Sequence, residues 1–430
     1  MTALSRRSLL QAAALAGGAG TLAACSSGLK GSGSTGSSST LKIGYVSPQT
    51  GALASFAESD NFVISQIRDA LKNGFTVGGK KYTIDVVVKD SQSSSTRAGD
   101  VTRDLILTDK VDIVLASATP DTANPVSDQC EANAMPNCTT IVPWEAWFYG
   151  RGKKDGDSFK YSTMFFFGMK EFTDLFIHMW NTIGVTDKTV ACLWPNDTDA
   201  NAFRQGFPPA MGPAGYKVVD SGAYQDGNTD FSTQIGKFKQ AHADLFTCTP
   251  IPPDFQTFWK QANQQGYKPK LATVAKVMLF PSETVALGNL TNNIATDVWW
   301  SPSHPYTSSL DGKTAKQLSD DYASSTGKQW SQALGSAYSL FEIAVQAFKS
   351  ASDPKDHEDV ASQLRNMSIT GMSGPLDFRK GPQPGIAIQI PVGGQWRAGT
   401  QFPWDMFLVD NTYNTSIPTT GDLQPTNPSA

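Results

Sequence analysis

Residues 230–270 read DFSTQIGKFKQAHADLFTCTPIPPDFQTFWKQANQQGYKPK. Phe231, Ile235 and Phe238 recur at i, i+4 and i+7, one face of a helix, and Asp230 is placed as its N-cap. Ala243 to Thr249 is an apolar run of strand length. Pro250, Pro252 and Pro253 cannot continue a central strand, so the chain turns there. Asp254 is positioned to cap a second helix with Phe255, Phe258, Trp259 and Ala262 on one stripe, and Gly266 ends it. Helix, strand, loop, helix is half of a doubly wound α/β layer. Ligands in such layers sit beyond the carboxyl ends of the strands. The loop Pro250 to Asp254 is therefore a candidate wall of a binding cleft.

The same alternation extends in both directions. Leu41 to Val46 reads as a buried first strand. A helix follows with Val63, Ile67, Ala70 and Leu71 on one face, ending at Asn73-Gly74. Gly78-Gly79 turns the chain into a strand on which Tyr82, Ile84, Val86 and Val88 alternate. Ala98, Val101 and Leu105 mark the next helix, Val111 to Ala116 another buried strand, and Met135 to Val142 a further one. A second layer begins near Phe172, with strands at Thr189 to Leu193, Val218 to Tyr224 and Leu245 to Thr249. Asp297 to Ser301 carries the chain back to the first layer, where Leu340 to Phe348 is an amphipathic helix. Strands alternating with helices predict parallel sheets.

A chain of 430 residues is too long for one ordinary core and comfortable for two. Residues 41–160 plus 302–368 are expected to form one lobe and 161–301 plus 369–410 the other. The Thr-, Pro- and Asn-rich residues 411–430 read as a flexible tail.

The first forty residues carry processing signals. Ser5-Arg6-Arg7-Ser8-Leu9-Leu10 reads as a twin-arginine export signal with a weakly apolar core behind it. Leu22-Ala23-Ala24-Cys25 matches a bacterial lipobox, which makes residues 1–24 a lipoprotein signal peptide and Cys25 the lipidated first residue of the mature protein. Buried acyl chains contribute about 0.8 kcal/mol per CH₂, so several hold a protein on a membrane without a spanning helix. Residues 25–40, the lipidated Cys and a Ser/Gly-rich linker, form a flexible tether. The expected location is the outer face of the cytoplasmic membrane. A formal net charge of -4 argues against a nucleic-acid binder, which would show a basic patch.

Several stretches together resemble a known family. They are IGYVSPQTGALASF at the start of the body, DSQSSSTRA, the DFSTQIGKFK…ADLF…PPDF…GYKPK run, and TGMSGPLDFRKG (Thr370 to Gly381) followed by GGQWRAG. In order and spacing they resemble the leucine/isoleucine/valine-binding proteins, the extracytoplasmic solute-binding components of ABC importers. The resemblance implies two doubly wound, Rossmann-like α/β lobes joined by three crossings, the type I periplasmic binding protein fold, closing on a small ligand. It implies a small-molecule ligand, an ABC permease as partner, a monomer and no cofactor. A ligand-sensing receptor component on the same fold is the alternative; an exported enzyme is a further one.

The resemblance also suggests site residues. The loop Ser117 to Thr122 falls where the family presents hydroxyls and backbone N–H groups to a ligand carboxylate, a role suited to small polar residues at a helix N-terminus; Ser117, Thr119, Asp121 and Thr122 are the candidates. An ordinary helix cap is the competing reading there. Phe56 falls where the family sets an aromatic against the ligand side chain. Trp144, Trp194 and Ile251 fall at loops facing the cleft. Amino-acid-binding members carry a second-lobe carboxylate for the ligand ammonium, and Lys276 aligns with it. Reversing that charge disfavours an α-ammonium, so an anionic solute, an organic or aromatic acid, is expected ahead of an amino-acid-like one.

Enzyme chemistry finds no support. His178, His242, His304 and His357 lack metal spacing, HExxH is absent, and no GxSxG elbow, Walker A or GxGxxG follows a strand. Asp197 and Asp199 suit cap and turn roles. Trp299-Trp300 either line the cleft or pack in the core. Export to an oxidising compartment makes a Cys130–Cys138 disulfide expected and a Cys192–Cys248 disulfide conceivable.

Overall fold

The computed structural model describes residues 39–427. The export signal, Cys25 and the linker up to residue 38 lie outside the described residues. The chain runs β1 (Ser39–Ser47), α1 (Asp60–Leu71), β2 (Phe75–Val77), β3 (Lys80–Asp90), α2 (Ser95–Asp104), β4 (Ile113–Ser117), α3 (Pro120–Ala132), β5 (Asn137–Thr140), α4 (Trp144–Phe148) and β6 (Ser162–Phe165). A second run follows: α5 (Met169–Ile183), β7 (Thr189–Leu193), α6 (Thr198–Met211), β8 (Lys217–Asp220), α7 (Ser232–Gln240), β9 (Leu245–Cys248), α8 (Pro252–Gln264), β10 (Leu271–Val274), α9 (Pro281–Leu287) and β11 (Ala295–Val298). Helices α10 (Ala315–Thr326), α11 (Ala333–Ser350) and α12 (His357–Arg365) come next. The chain ends with β12 (Ser368–Gly371), β13 (Gly374–Asp377), β14 (Ile386–Ala387), β15 (Val392–Ala398) and β16 (Trp404–Asp410).

Two seven-stranded sheets result, ordered β14-β6-β5-β4-β1-β3-β2 and β16-β15-β11-β10-β9-β7-β8. Their central strands are parallel, as alternating strands and helices require. β2 is the exception in the first sheet. Gly78 and Gly79, both at positive φ, let it turn back antiparallel onto β3. β15 and β16 close the second sheet antiparallel. The opening stretch builds the outer layer of the second lobe: Phe238 on α7, Phe246 on β9, and Phe258 and Trp259 on α8 pack in one buried cluster. Another continuous apolar cluster runs from Leu41 and Ile43 through Phe166, Phe167 and Trp299 to Trp180 and Leu245, joining both lobes.

Several expectations need correction. β6 pairs with β5 and β14 pairs with β6, so residues 162–165 and 386–387 belong to the first sheet and not to the second lobe. The three crossings therefore fall at 166–168, 299–301 and 388–391. Ser39 and Thr40 are strand, not linker. α8 starts at Pro252, whose missing N–H is harmless in the first turn; Asp254 instead accepts the Gly227 N–H at 3.0 Å. Asp230 does accept the Ser232 N–H at 2.9 Å, but Phe231 occupies the cap position. The charged run His357-Glu358-Asp359 reads as a surface loop, but His357 opens α12 behind the Asp356 cap.

The C-terminal residues are packed rather than loose up to Asn427. Ile417 is buried. Thr426 exchanges hydrogen bonds with the second sheet at Lys270 and Ala272, and the Asn293 side chain donates to Pro425 O.

Both disulfides are absent: Cys130, Cys138, Cys192 and Cys248 are free and buried. Side-chain alternation along a strand explains each case. α3 faces Asn137 and Thr139 of β5 through Ser127. Cys138 points to the opposite face, in the cluster with Leu115, while Cys130 packs with Val114 and Ala116. In the second sheet Cys192 registers with Thr247 and Cys248 with Leu193, so the two thiols also lie on opposite faces.

Candidate functional site

The strand ends of both sheets meet at a cavity between the lobes. From the first lobe come Phe56, Thr119, Pro120, Ile141 and Pro143; from the second, Phe172, Asp199, Phe203, Thr249, Lys276 and Leu279. The crossings add Phe166, Phe167 and Trp299, and Asp297 stands at the end of β11. The walls are thus mainly aromatic and aliphatic with a few convergent polar groups, the usual composition of a small-molecule site.

The cavity is small, about 40 Å³, room for a few water molecules at the ~10–15 Å³ each one needs. The lobes already touch around it. Thr198 Oγ1 donates to Asp121 Oδ1 at 2.6 Å, and Ser55 Oγ donates to Glu283 Oε1 at 3.0 Å. Phe56 meets Phe280 edge-on with centroids 4.7 Å apart. This is a closed arrangement, and a solute enters it only as the lobes part.

Backbone strain concentrates here. Thr119, Ile141 and Lys276 all have positive φ, at 56°, 58° and 63°, a conformation costing of order 1–3 kcal/mol for such residues. At Thr119 it aims the start of α3 at the cavity. At Lys276 it folds the chain back after β10.

The polar groups form a buried charge cluster. Lys276 Nζ lies 2.9 Å from Asp197 Oδ2 and 3.4 Å from Asp199 Oδ2. Burial pulls the Lys276 ammonium down, but Asp197 and Asp199 outweigh it and hold the group well above its usual range. Asp197 is in addition the N-cap of α6, accepting the Ala200 N–H at 2.6 Å. Burial pushes Asp199 up to about 6 against the pull of Lys276. It pushes Asp297 up to about 7. Asp199 Oδ1, Asp297 Oδ1, Thr119 Oγ1 and Thr249 Oγ1 are all buried without a protein partner. Such atoms are costly unless something meets them, so the site offers two carboxylate oxygens and two hydroxyls to an occupant.

Of the nine residues expected at the site, Phe56, Thr119 and Lys276 line the cavity. The premise about Lys276 changes, however: its charge is compensated by two carboxylates and does not stand free to select an anion. The other six serve nearby. Ser117 Oγ lies 3.2 Å from the Tyr45 hydroxyl, which donates to Asp60. Asp121 holds the lobes together through Thr198. Thr122, in the first turn of α3, donates to Ala118 O just before the helix. Trp144 packs against Tyr149 and the bare Cα of Gly168. Trp194 packs against Phe207, and Ile251 caps α8. Asp199, Asp297 and the Phe166-Phe167 pair also line the cavity, beyond the nine residues that the resemblance suggests. For the phenylalanines the run Phe165 to Phe167 was a usable signal. Among the described residues no cluster of His, Cys, Asp or Glu is placed to hold a metal ion, and no helix is long and apolar enough to cross a membrane.

Comparison with solved structures places the fold. A leucine-binding protein from Thermotoga maritima superposes with a TM-score of 0.71 at 18% identity, covering 87% of this chain and 99% of that one. A branched-chain amino acid transporter substrate-binding protein from Streptococcus pneumoniae, in complex with isoleucine, gives 0.68 at 18% identity over 86% and 99%. A solute-binding protein of an ABC transporter from Rhodopseudomonas palustris, in complex with 3,4-dihydroxybenzoic acid, gives 0.68 at 17% identity over 89% and 99%. No curated protein matches the chain by sequence. The periplasmic binding protein family matches residues 40–389, most of the chain, and this protein belongs to that family.

Proposed function

We propose that the protein is the extracytoplasmic solute-binding component of an ABC importer, tethered through a lipid on Cys25. It captures a small solute between its lobes and delivers it to the permease. The supporting observation is the interlobe cavity itself: aromatic walls from both lobes around four unpartnered polar atoms, Thr119 Oγ1, Thr249 Oγ1, Asp199 Oδ1 and Asp297 Oδ1. Asp199 and Asp297 serve in this reading as charge partners for a solute, with Lys276 as the counter-charge of Asp199, in keeping with a family of binding proteins.

The charge balance favours a solute with an apolar body, a carboxylate and an ammonium. Thr119 at the start of α3 and Thr249 suit the carboxylate. Asp199 and Asp297 suit the ammonium, since Lys276 is already paired. This reverses the preference for a plain organic acid.

Calorimetric titration of the leaderless protein with leucine, phenylalanine, 3,4-dihydroxybenzoate and benzoate, from pH 5.5 to 8.5, tests the reading. An ammonium that pairs with the two carboxylates must displace their protons at low pH. Affinity for the amino acids should therefore rise with pH through about 6 to 7 and then level off. Benzoate binding more tightly, with affinity falling as pH rises, would keep the solute-binding role and discard the ammonium. Binding of none of the four, with solute uptake unchanged in a strain that lacks the full-length protein, would overturn the function.

A further inference from the structure

Trp299 lines a second cavity as well, of about 430 Å³, far larger than the space between the lobes. It is built by the crossings rather than by the strand ends. Trp299 and His304 come from the second crossing and the segment after it, and Ile388 to Ile390 from the third. The β12–β13 hairpin adds Ser373 and Pro375, and Ile417 closes it from the C-terminal segment. Tyr306 and these aliphatic side chains make most of the surface apolar, and no charged side chain lines it.

Three of its lining residues each carry a buried polar atom with no partner: His304 Nε2, Ser373 Oγ and Gln389 Oε1. Their residues are only 4%, 3% and 4% exposed. Two of the three are held in fixed orientations. Gln389 Nε2 donates to Trp299 O at 2.9 Å and Ser373 O at 3.3 Å, which fixes where Oε1 points. His304 Nδ1 is 2.8 Å from Ser301 Oγ, which fixes the ring. Burial keeps that imidazole neutral, down to about 3. One unmet buried polar atom costs about 1–3 kcal/mol; three in the walls of one roomy, uncharged cavity is the pattern of a binding site, with a volume in the ~300–1,000 Å³ range of small-molecule pockets.

We propose that this hinge cavity is a second binding site, for a neutral small molecule carrying a hydroxyl or carboxamide on an apolar body. Gln389 Oε1 takes a donor from it, and Ser373 and His304 supply the complementary bonds. The site goes beyond solute capture in the cleft and does not depend on it. Its place in the hinge gives it a consequence. Gln389 also donates its backbone N–H to Phe166 O, so this one residue joins all three crossings. An occupant rests on the segments that must flex when the lobes part, and its affinity and that of a cleft ligand should change each other by the same factor.

Benzamide is the probe, with benzoate and benzylamine as charged controls of the same shape. Crystals of the mature chain are soaked with each, and thermal unfolding is followed with and without benzamide in wild type, Ser416→Trp and Thr370→Trp. Both variants place a large side chain at the rim, on positions that are exposed. The expected result is benzamide density bonded to Gln389 Oε1 and Ser373 Oγ, a raised unfolding midpoint lost in at least one rim variant, and neither charged control in the cavity. Density for ordered water alone, benzamide only in the interlobe cleft, charged controls entering equally, or a midpoint shift unchanged in both variants would each overturn the proposal.

Discussion

Replacing Asp297 with asparagine should stabilise the ligand-free protein at pH 8 and leave it nearly unchanged at pH 5. Asp297 is 2% exposed and its Oδ1 has no partner. Burial, with a smaller push from Asp199, raises its carboxyl to about 7, although its own backbone N–H and Thr296 oppose the shift. In the unfolded chain the group titrates near ~3.9. The folded state thus holds a proton that the unfolded state releases. Stability from this group is complete below pH ~4 and declines as pH rises towards ~7. Three units at ~1.4 kcal/mol each make the loss about 4 kcal/mol at pH 8. Asparagine keeps the shape without the charge, but its amide hydrogens need partners, at a cost of about 1–3 kcal/mol. The net gain is about 1–3 kcal/mol at pH 8. With an unfolding entropy of ~2.1 cal/mol/K per residue, that is roughly 1–4 °C in the midpoint. Thermal and urea unfolding of both proteins at pH 5 and pH 8 measure it. An equal shift at the two pH values, or destabilisation at pH 8, would refute a buried, ionisation-penalised Asp297. The same variant should bind an ammonium-bearing solute more weakly.

Lys276→Met should destabilise the protein by about 3–5 kcal/mol in urea unfolding, because Asp197 and Asp199 are then left buried without their counter-charge; a neutral effect would mean the three groups do not form a cluster. The mature chain, purified without reductant, should show no thiol reactive towards a disulfide reagent when folded and all four thiols when unfolded; an intact mass lower by two hydrogens would restore a disulfide. Truncation after Asp410 should lower the unfolding midpoint, since it removes buried Ile417 and the Thr426 bonds to the second sheet; an unchanged midpoint would show that this segment contributes nothing.

Much of the fold is legible along the chain because its signals are local. The i, i+4, i+7 stripe of Phe231, Ile235 and Phe238, the run around Phe246, and the prolines after it name helix, strand and turn from adjacent residues alone. Phe56, Thr119 and Lys276 are placed at the cavity by the family resemblance, and Thr119 and Lys276 each lie two residues beyond a strand, where such folds put ligands. Asp199 and Asp297 could not be given their roles in the same way. One sits inside a helix's first turn and the other on a buried strand, and nothing near either names a partner.

The lobe boundaries failed for a related reason. Ser162 to Phe165 is as good a strand for either sheet, and only its pairing with β5 decides. Residues 411–427 read as a loose tail because Thr, Pro and Asn say little about packing, yet side-chain bonds to distant backbone hold them in place.

Periodicity and turn chemistry act within a few residues, so the alternating α/β elements can be read along the chain, while the family and its two-lobe plan are carried by the motif stretches taken in order. Tertiary structure alone decided which sheet receives β6 and β14, that four cysteines one residue out of register or on opposite strand faces stay free, and that Lys276 is neutralised by Asp197 and Asp199. Each of these depends on side-chain direction and through-space distance between residues far apart in the chain, and electrostatic and covalent pairing are set by that distance.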